Sequence, residues 1–173
     1  MKATGEVAGG GEEEGLFADV GTRGEGRLSM MCWNVCGWGR GGGEMEKMRE
    51  GHDMRAKVID FYKPDVVALV ETWLRGEEEI AVEGYRWFGR NRRNLHRKAV
   101  RGSGGVGLLV REEVLEKWAV EVIDADIEDI LWVKLSQGNE DTLILAACYI
   151  PPESSSRGQG AEETLQLLSE QVA

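Results

Sequence analysis

Two apolar runs, Leu28 to Trp38 and Pro64 to Leu74, constrain this chain more than any other feature. The first reaches a conspicuous amide, Asn34, and closes on Gly37; the second reaches a carboxylate, Glu71. Between them, Met54, Val58, Phe61 and Tyr62 recur near helical spacing, so the order from Leu28 to Leu74 reads strand, helix over Met54 to Lys63, strand. Such a crossover is almost always right-handed and joins parallel strands. Parallel strands put their carboxyl ends on one edge of the sheet, where ligands sit in open α/β sheets, so Asn34 and Glu71 are expected side by side.

A chain of 173 residues suffices for one domain with a real core. Its net charge of −10 excludes a protein that coats nucleic acid or anionic membrane with its whole surface, because polyanions require a cationic face. No apolar leader follows Met1 and no run approaches the ~18 to 20 apolar residues that span a bilayer, so a soluble, unsecreted chain is expected, in nucleus or cytoplasm, with no membrane partner. Cys32, Cys36 and Cys148 are an odd number of thiols and fit reduced core groups better than a disulfide frame.

Met1 to about Arg27 is rich in glycine and glutamate with few large apolar groups, and reads as a disordered tail. Gly39 to Gly43 and the charged residues up to Asp53 read as a mobile loop, which lacks the Gly-Lys-Ser/Thr ending of a phosphate loop. Further strands are expected at Tyr85 to Phe88, Val106 to Val110, Trp118 to Ile123, Ile130 to Leu135 and Leu143 to Ile150, the last two joined by a turn at Gln137-Gly138-Asn139. Gly102, Gly104 and Gly107 match Gly-x-Gly-x-x-Gly, but a basic loop precedes them and a strand follows, so they are expected to permit close backbone approach. Pro151-Pro152 stops the last strand, and Leu165, Leu168 and Val172 describe a helix over Ala161 to Val172.

Three polar groups thus stand at the carboxyl ends of three apolar strands: Asn34, Glu71 and Tyr149. A carboxylate and an amide oxygen are hard ligands suited to magnesium, which takes the rest of its shell from water and substrate phosphate, while a phenol donates to a phosphate oxygen. Each alone is equally at home as a turn residue, a solvated acid or a half-buried phenol, and their coincidence is what points to a metal-assisted phosphoryl site. Arg86 to Arg101 carries seven of the chain's 21 Lys and Arg and no acid, which leaves 14 bases against 31 acids elsewhere. Segregation of sign on that scale suggests a cationic strip facing phosphates, with Trp87, Phe88 and His96 placed to stack on bases, although one of the adjacent Trp87 and Phe88 is expected in the core.

The segments Trp33-Asn34-Val35-Cys36-Gly37, Pro64 through Glu71-Thr72-Trp73-Leu74, Gly104-Gly105-Val106-Gly107-Leu108-Leu109-Val110 and Cys148-Tyr149-Ile150-Pro151-Pro152, in this order, resemble the endonuclease/exonuclease/phosphatase superfamily, and within it the endonuclease domain of non-LTR retrotransposons. The resemblance runs from about Leu28 to Ile150. It implies an α/β fold over 28–173, the first half of a four-layer α/β/β/α sandwich with a mixed sheet flanked by helices. It further implies a site in which Glu71 and Asn34 bind magnesium, with manganese as the alternative ion, and Tyr149 contacts the scissile phosphate. Arg90, Asn91 and Arg92 of the basic strip are the expected substrate contacts, with DNA the favoured nucleic-acid partner.

The second half of the family pattern, Gly-Asp-x-Asn and then Ser-Asp-His, does not occur in these residues, and neither His52 nor His96 stands in a matching context. The chain is therefore expected to lack the general base and to be inactive or nearly so by itself, as a truncated magnesium-dependent endonuclease domain. One face of its sheet is expected to stand uncovered without the missing half or a partner chain. The second reading, from another class, is a non-catalytic module that binds nucleic acid or another polyanion through 86–101.

Overall fold

The structure, a computed structural model, describes residues 15–20, 27–39, 45–93, 102–123, 128–138, 141–150, 165–166 and 168–170. Two sheets and a long helix build it, and the expected α/β class is what is found. The first sheet begins with β1 (Gly15–Val20), β2 (Leu28–Asn34) and, after helix α1 (Met45–Tyr62), β3 (Val66–Val70). It is completed by β4 (Tyr85–Arg90) and β5 (Val106–Arg111), in the spatial order β1-β2-β3-β5-β4. β2 and β3 are parallel, as the strand-helix-strand reading requires, and every other pairing in this sheet is antiparallel. After the short helix α2 (Glu112–Leu115), an antiparallel second sheet follows of β6 (Ala119–Ile123), β7 (Ile130–Gln137) and β8 (Asp141–Cys148). Gln137 faces Asp141 across the expected turn, where Gly138 has φ +61°.

The apolar runs are continuous because the first sheet is covered on both faces. On β3, Val67 and Leu69 point towards α1 and join Met31, Trp33, Val35, Ile59 and Leu109, whereas Val66 and Ala68 point the other way and meet Leu131, Val133, Leu135 and Ala147 of the second sheet. The expectation that one face would stand uncovered is thereby corrected: the partner layer is supplied by β6 to β8 of this same chain. Trp87 and Phe88 divide between the two cores, one on each side of β4, and both are half-buried.

Three local expectations change. α1 starts at Met45, so the charged residues 45–53, read as loop, are helical. The helix buries Ile59, with Ala56 and Val58 packed beside it, and exposes Met54, Phe61 and Tyr62. The sequence period was real, but its phase was set by the wrong residues, because Ile59 lies on the opposite side from Phe61. Within the expected tail, Gly15–Val20 pairs with β2 as an edge strand; 1–14 and 21–26 lie outside the described residues. Of the helix expected at Ala161 to Val172, the described residues 165–166 and 168–170 are helical, and the rest of it lies outside the described residues.

One acid fastens the sheet edge opposite the site. Asp65 accepts from the Ser29 backbone N–H and hydroxyl at 2.8 Å each and from Arg111 Nη2 at 2.5 Å, tying the starts of β2 and β3 to the end of β5. Tyr85 donates to the Pro64 carbonyl at 2.7 Å on that same edge. Among the described residues no helix is long and apolar enough to cross a membrane.

Candidate metal centre

The parallel register of β2 and β3 decides where the polar groups fall. Asn34, the last residue of β2, is paired with Val70, and the next residue on β3 is Glu71. Beyond the strands the pairing continues irregularly: Val35 N–H donates to Val70 O at 3.1 Å, Gly37 N–H to Glu71 O at 2.7 Å and Trp38 N–H to Thr72 O at 2.8 Å. Asn34 and Glu71 therefore occupy neighbouring positions at one sheet edge, as expected. Asn34 is exposed, and its Oδ1 accepts from Cys36 N–H at 3.1 Å and from the Cys36 thiol at 3.5 Å, which fixes the amide at the edge.

Glu71 leaves β3 with φ +57°, and Trp73 has φ +55°. A left-handed non-glycine residue costs of order 1–3 kcal/mol and persists only where its surroundings enforce it. Here the surroundings are backbone bonds on both sides, since Thr72 and Trp73 N–H donate to Gly105 O and Gly104 O at 3.2 and 2.9 Å. The Trp73 indole N–H donates to Glu71 Oε2.

Tyr149 follows β8, in the other sheet, and its phenol lies beside the Glu71 carboxylate. Burial above all, and the neighbouring Glu71 carboxylate, push its pKa up to about 12, against a smaller opposing effect of Arg92. The phenol is thus a proton donor throughout the neutral range. Its backbone N–H donates to Asp129 O at 2.9 Å.

Asp129 is a residue that sequence reasoning missed. Its side chain is 8% exposed and accepts from Arg92 Nε at 2.7 Å, from Arg92 Nη2 and from Gly105 N–H at 2.9 Å. It joins the end of β4, the loop before β5 and the end of β8 behind Glu71 and Tyr149. Burial acts to lower the Arg92 pKa, but the hydrogen bond and charge of Asp129 outweigh it and raise the pKa overall. The only signal in the sequence was the last of several closely spaced acids (Asp124, Asp126, Glu128, Asp129) before a strand, far along the chain from a basic run.

The expected substrate contacts are placed as follows. Arg92 lies beside Glu71 and Tyr149 but is committed to Asp129. Asn91 donates to the carbonyls of Gly76 and Glu78 at 2.9 and 2.8 Å, holding the loop after β3. Arg90 ends β4 on the same edge as Glu71. Arg90, Asn91, Arg92 and Arg93 line an open cleft of about 790 Å³ with Trp87, Gly89, Arg75 and Glu77 to Glu79. Three glutamates on its rim temper the cationic character expected for the strip. His96, Arg97, Lys98 and Arg101 lie outside the described residues. Cys32 and Cys148 are half-buried free thiols whose pKa burial raises, and Cys36 is exposed rather than in the core.

The donor set suits a particular kind of cation. Among the described residues no group of three or more His, Cys, Asp or Glu could hold a metal, which rules against an all-protein cage there. One carboxylate and one amide oxygen at an open edge fit instead a hard divalent ion that keeps most of its shell as water and substrate oxygen.

An α/β protein with an oxygen-rich site where parallel strands end, backed by a phenol from a second sheet, is the class that these observations define. The family model described as Endonuclease/Exonuclease/phosphatase family matches residues 32–172, and the chain belongs to that family. Its members are hydrolases of nuclease or phosphatase type and are generally dependent on a divalent metal. No curated protein matches the chain.

Proposed function

We propose that this chain is the metal-carboxylate part of a magnesium-dependent endonuclease domain of the non-LTR retrotransposon type, acting on DNA and inactive or nearly so by itself. The observation that carries the reading is the meeting of Glu71 and Tyr149, which arrive from different sheets and lie side by side at the edge where Asn34 also ends its strand. Glu71 and Asn34 would hold the ion, and when bound it supplies Lewis-acid polarisation of a phosphoryl oxygen. Tyr149 keeps its proton and donates to a phosphate oxygen. Arg90 and Arg93, on the cleft beside Arg92, face the flanking phosphates. No residue of the sequence takes the general-base role, since Gly-Asp-x-Asn and Ser-Asp-His are absent from it.

Plasmid nicking tests this directly. The purified chain in magnesium is expected to leave supercoiled plasmid intact; nicking that Glu71→Ala abolishes would overturn the inactivity claim while supporting the site.

A second reading, a polyanion-binding module, draws on the cleft lined by Arg75, Arg90 and Arg93 beside Trp87. It expects salt-sensitive DNA binding that survives Glu71→Ala and is lost in Arg75→Ala/Arg90→Ala/Arg93→Ala. Arg92 is left out of that test because its loss would strand Asp129. Binding indifferent to those three arginines removes this reading.

A further inference from the structure

A metal-binding carboxylate works only if its oxygens are aimed, and in this chain the aiming group is a tryptophan two residues on. Glu71 and Trp73 are both left-handed, so residues 71–73 coil at the end of β3 and bring the indole N–H to Glu71 Oε2. The coil is clamped from one side by the carbonyls of Gly104 and Gly105 and from the other by the N–H groups of Gly37 and Trp38. Room for the indole is made by Gly37, where an added Cβ would overlap the six-membered ring of Trp73 and where φ is +99°. Gly102 likewise makes room for the Trp73 carbonyl. Glycines from two separate loops are thus fitted around this one residue.

We propose that Trp73 is the positioning residue for Glu71, its indole N–H holding the carboxylate in the orientation at which a hard divalent cation is bound. This rests on the reading of Glu71 as the metal carboxylate. The donor chemistry is well chosen for the task. An indole N–H can only donate, so Trp73 neither competes for the cation nor accepts a proton. A carboxylate offers about four lone-pair sites, so the bond from Trp73 leaves about three for a cation and its substrate shell. Partners of this kind beyond the ligands themselves typically account for 10- to 100-fold in metal affinity.

The test uses the whole chain and manganese as the probe, with free ion counted by electron paramagnetic resonance. Trp73→Phe keeps an aromatic ring over Gly37 and removes only the donor, and it is expected to weaken manganese binding about 10-fold. In parallel, the Trp73 indole N–H resonance of the wild-type chain is expected to move when magnesium is added and in Glu71→Gln, an effect that simple core filling would not produce and that does not depend on Trp73→Phe folding. Wild-type manganese affinity in folded Trp73→Phe, or an indole resonance indifferent both to Glu71→Gln and to magnesium, would overturn the proposal. Failure of the underlying site is distinguishable: Glu71→Gln would then bind manganese as the wild type does. A wild-type chain that binds no manganese overturns both.

Discussion

Replacing Asp129 by asparagine is the sharpest test of how this edge is held together. The Arg92 and Asp129 side chains are only 9% and 8% exposed, so neither charge has water to fall back on. Asparagine retains an oxygen for the Gly105 N–H, now 2.9 Å from Asp129 Oδ1, and replaces Oδ2, the acceptor of both Arg92 bonds, by an NH2, so the charge and those two bonds are lost together. Removing one member of a buried pair costs about 3–5 kcal/mol because the surviving charge is left uncompensated. Against a total stability of ~5–15 kcal/mol for a domain, that is a large fraction. Substituting both partners, Arg92→Leu with Asp129→Leu, strands no charge; it leaves the Gly105 N–H without its acceptor, which costs about 1–3 kcal/mol. The double variant should therefore be more stable than Asp129→Asn. Urea unfolding followed by tryptophan fluorescence measures both. A loss under about 1 kcal/mol in Asp129→Asn, or a double variant less stable than the single, would refute the reasoning.

Three further outcomes follow from the packing and the phenols. Ile59→Ala should cost about 2–5 kcal/mol in the same unfolding assay, while Phe61→Ala on the outer face of α1 should fall within ~0.5 kcal/mol of wild type. Gly107→Ala would drive a Cβ into the Trp87 ring and to 2.8 Å from the Phe88 carbonyl, and should destabilise by about 1–3 kcal/mol. Tyr85, raised chiefly by burial, and Tyr149 should form phenolate only near pH 12 by ultraviolet titration, and Glu71→Gln should lower the Tyr149 midpoint alone. Because both folded values lie above the ordinary tyrosine value of about 10, their contribution to stability is whole below pH ~10 and is lost as pH rises towards 12.

What was legible in the sequence is what period and strand ends encode. β2, β3, β5 and β7 are buried on at least one whole face, so their apolar residues announced them, and parallel pairing followed from the crossover between the first two. Asn34, Glu71 and Tyr149 were found because polar groups at the ends of such runs stand out. The phase of α1 was misread because Met54, Phe61 and Tyr62 are apolar yet exposed, and only the position of the sheet reveals that Ile59 faces it. Trp73 and Asp129 were missed for a different reason. The indole reaches Glu71 through two left-handed residues that no periodicity announces, and Asp129 meets Arg92 across 37 residues of chain. Long-range pairing of this kind leaves no local mark. At the basic strip, charge density alone could not reveal that Arg92 pairs with Asp129 inside the fold or that Asn91 holds a loop.

The central claim is that Glu71 is the metal carboxylate of this chain, and calorimetric titration of manganese into the wild type and Glu71→Gln tests it most directly. The account predicts a single weak site in the wild type, consistent with a shell made largely of water, and its loss in Glu71→Gln with the fold intact by circular dichroism. Equal binding by the two proteins, or none by the wild type, would contradict it.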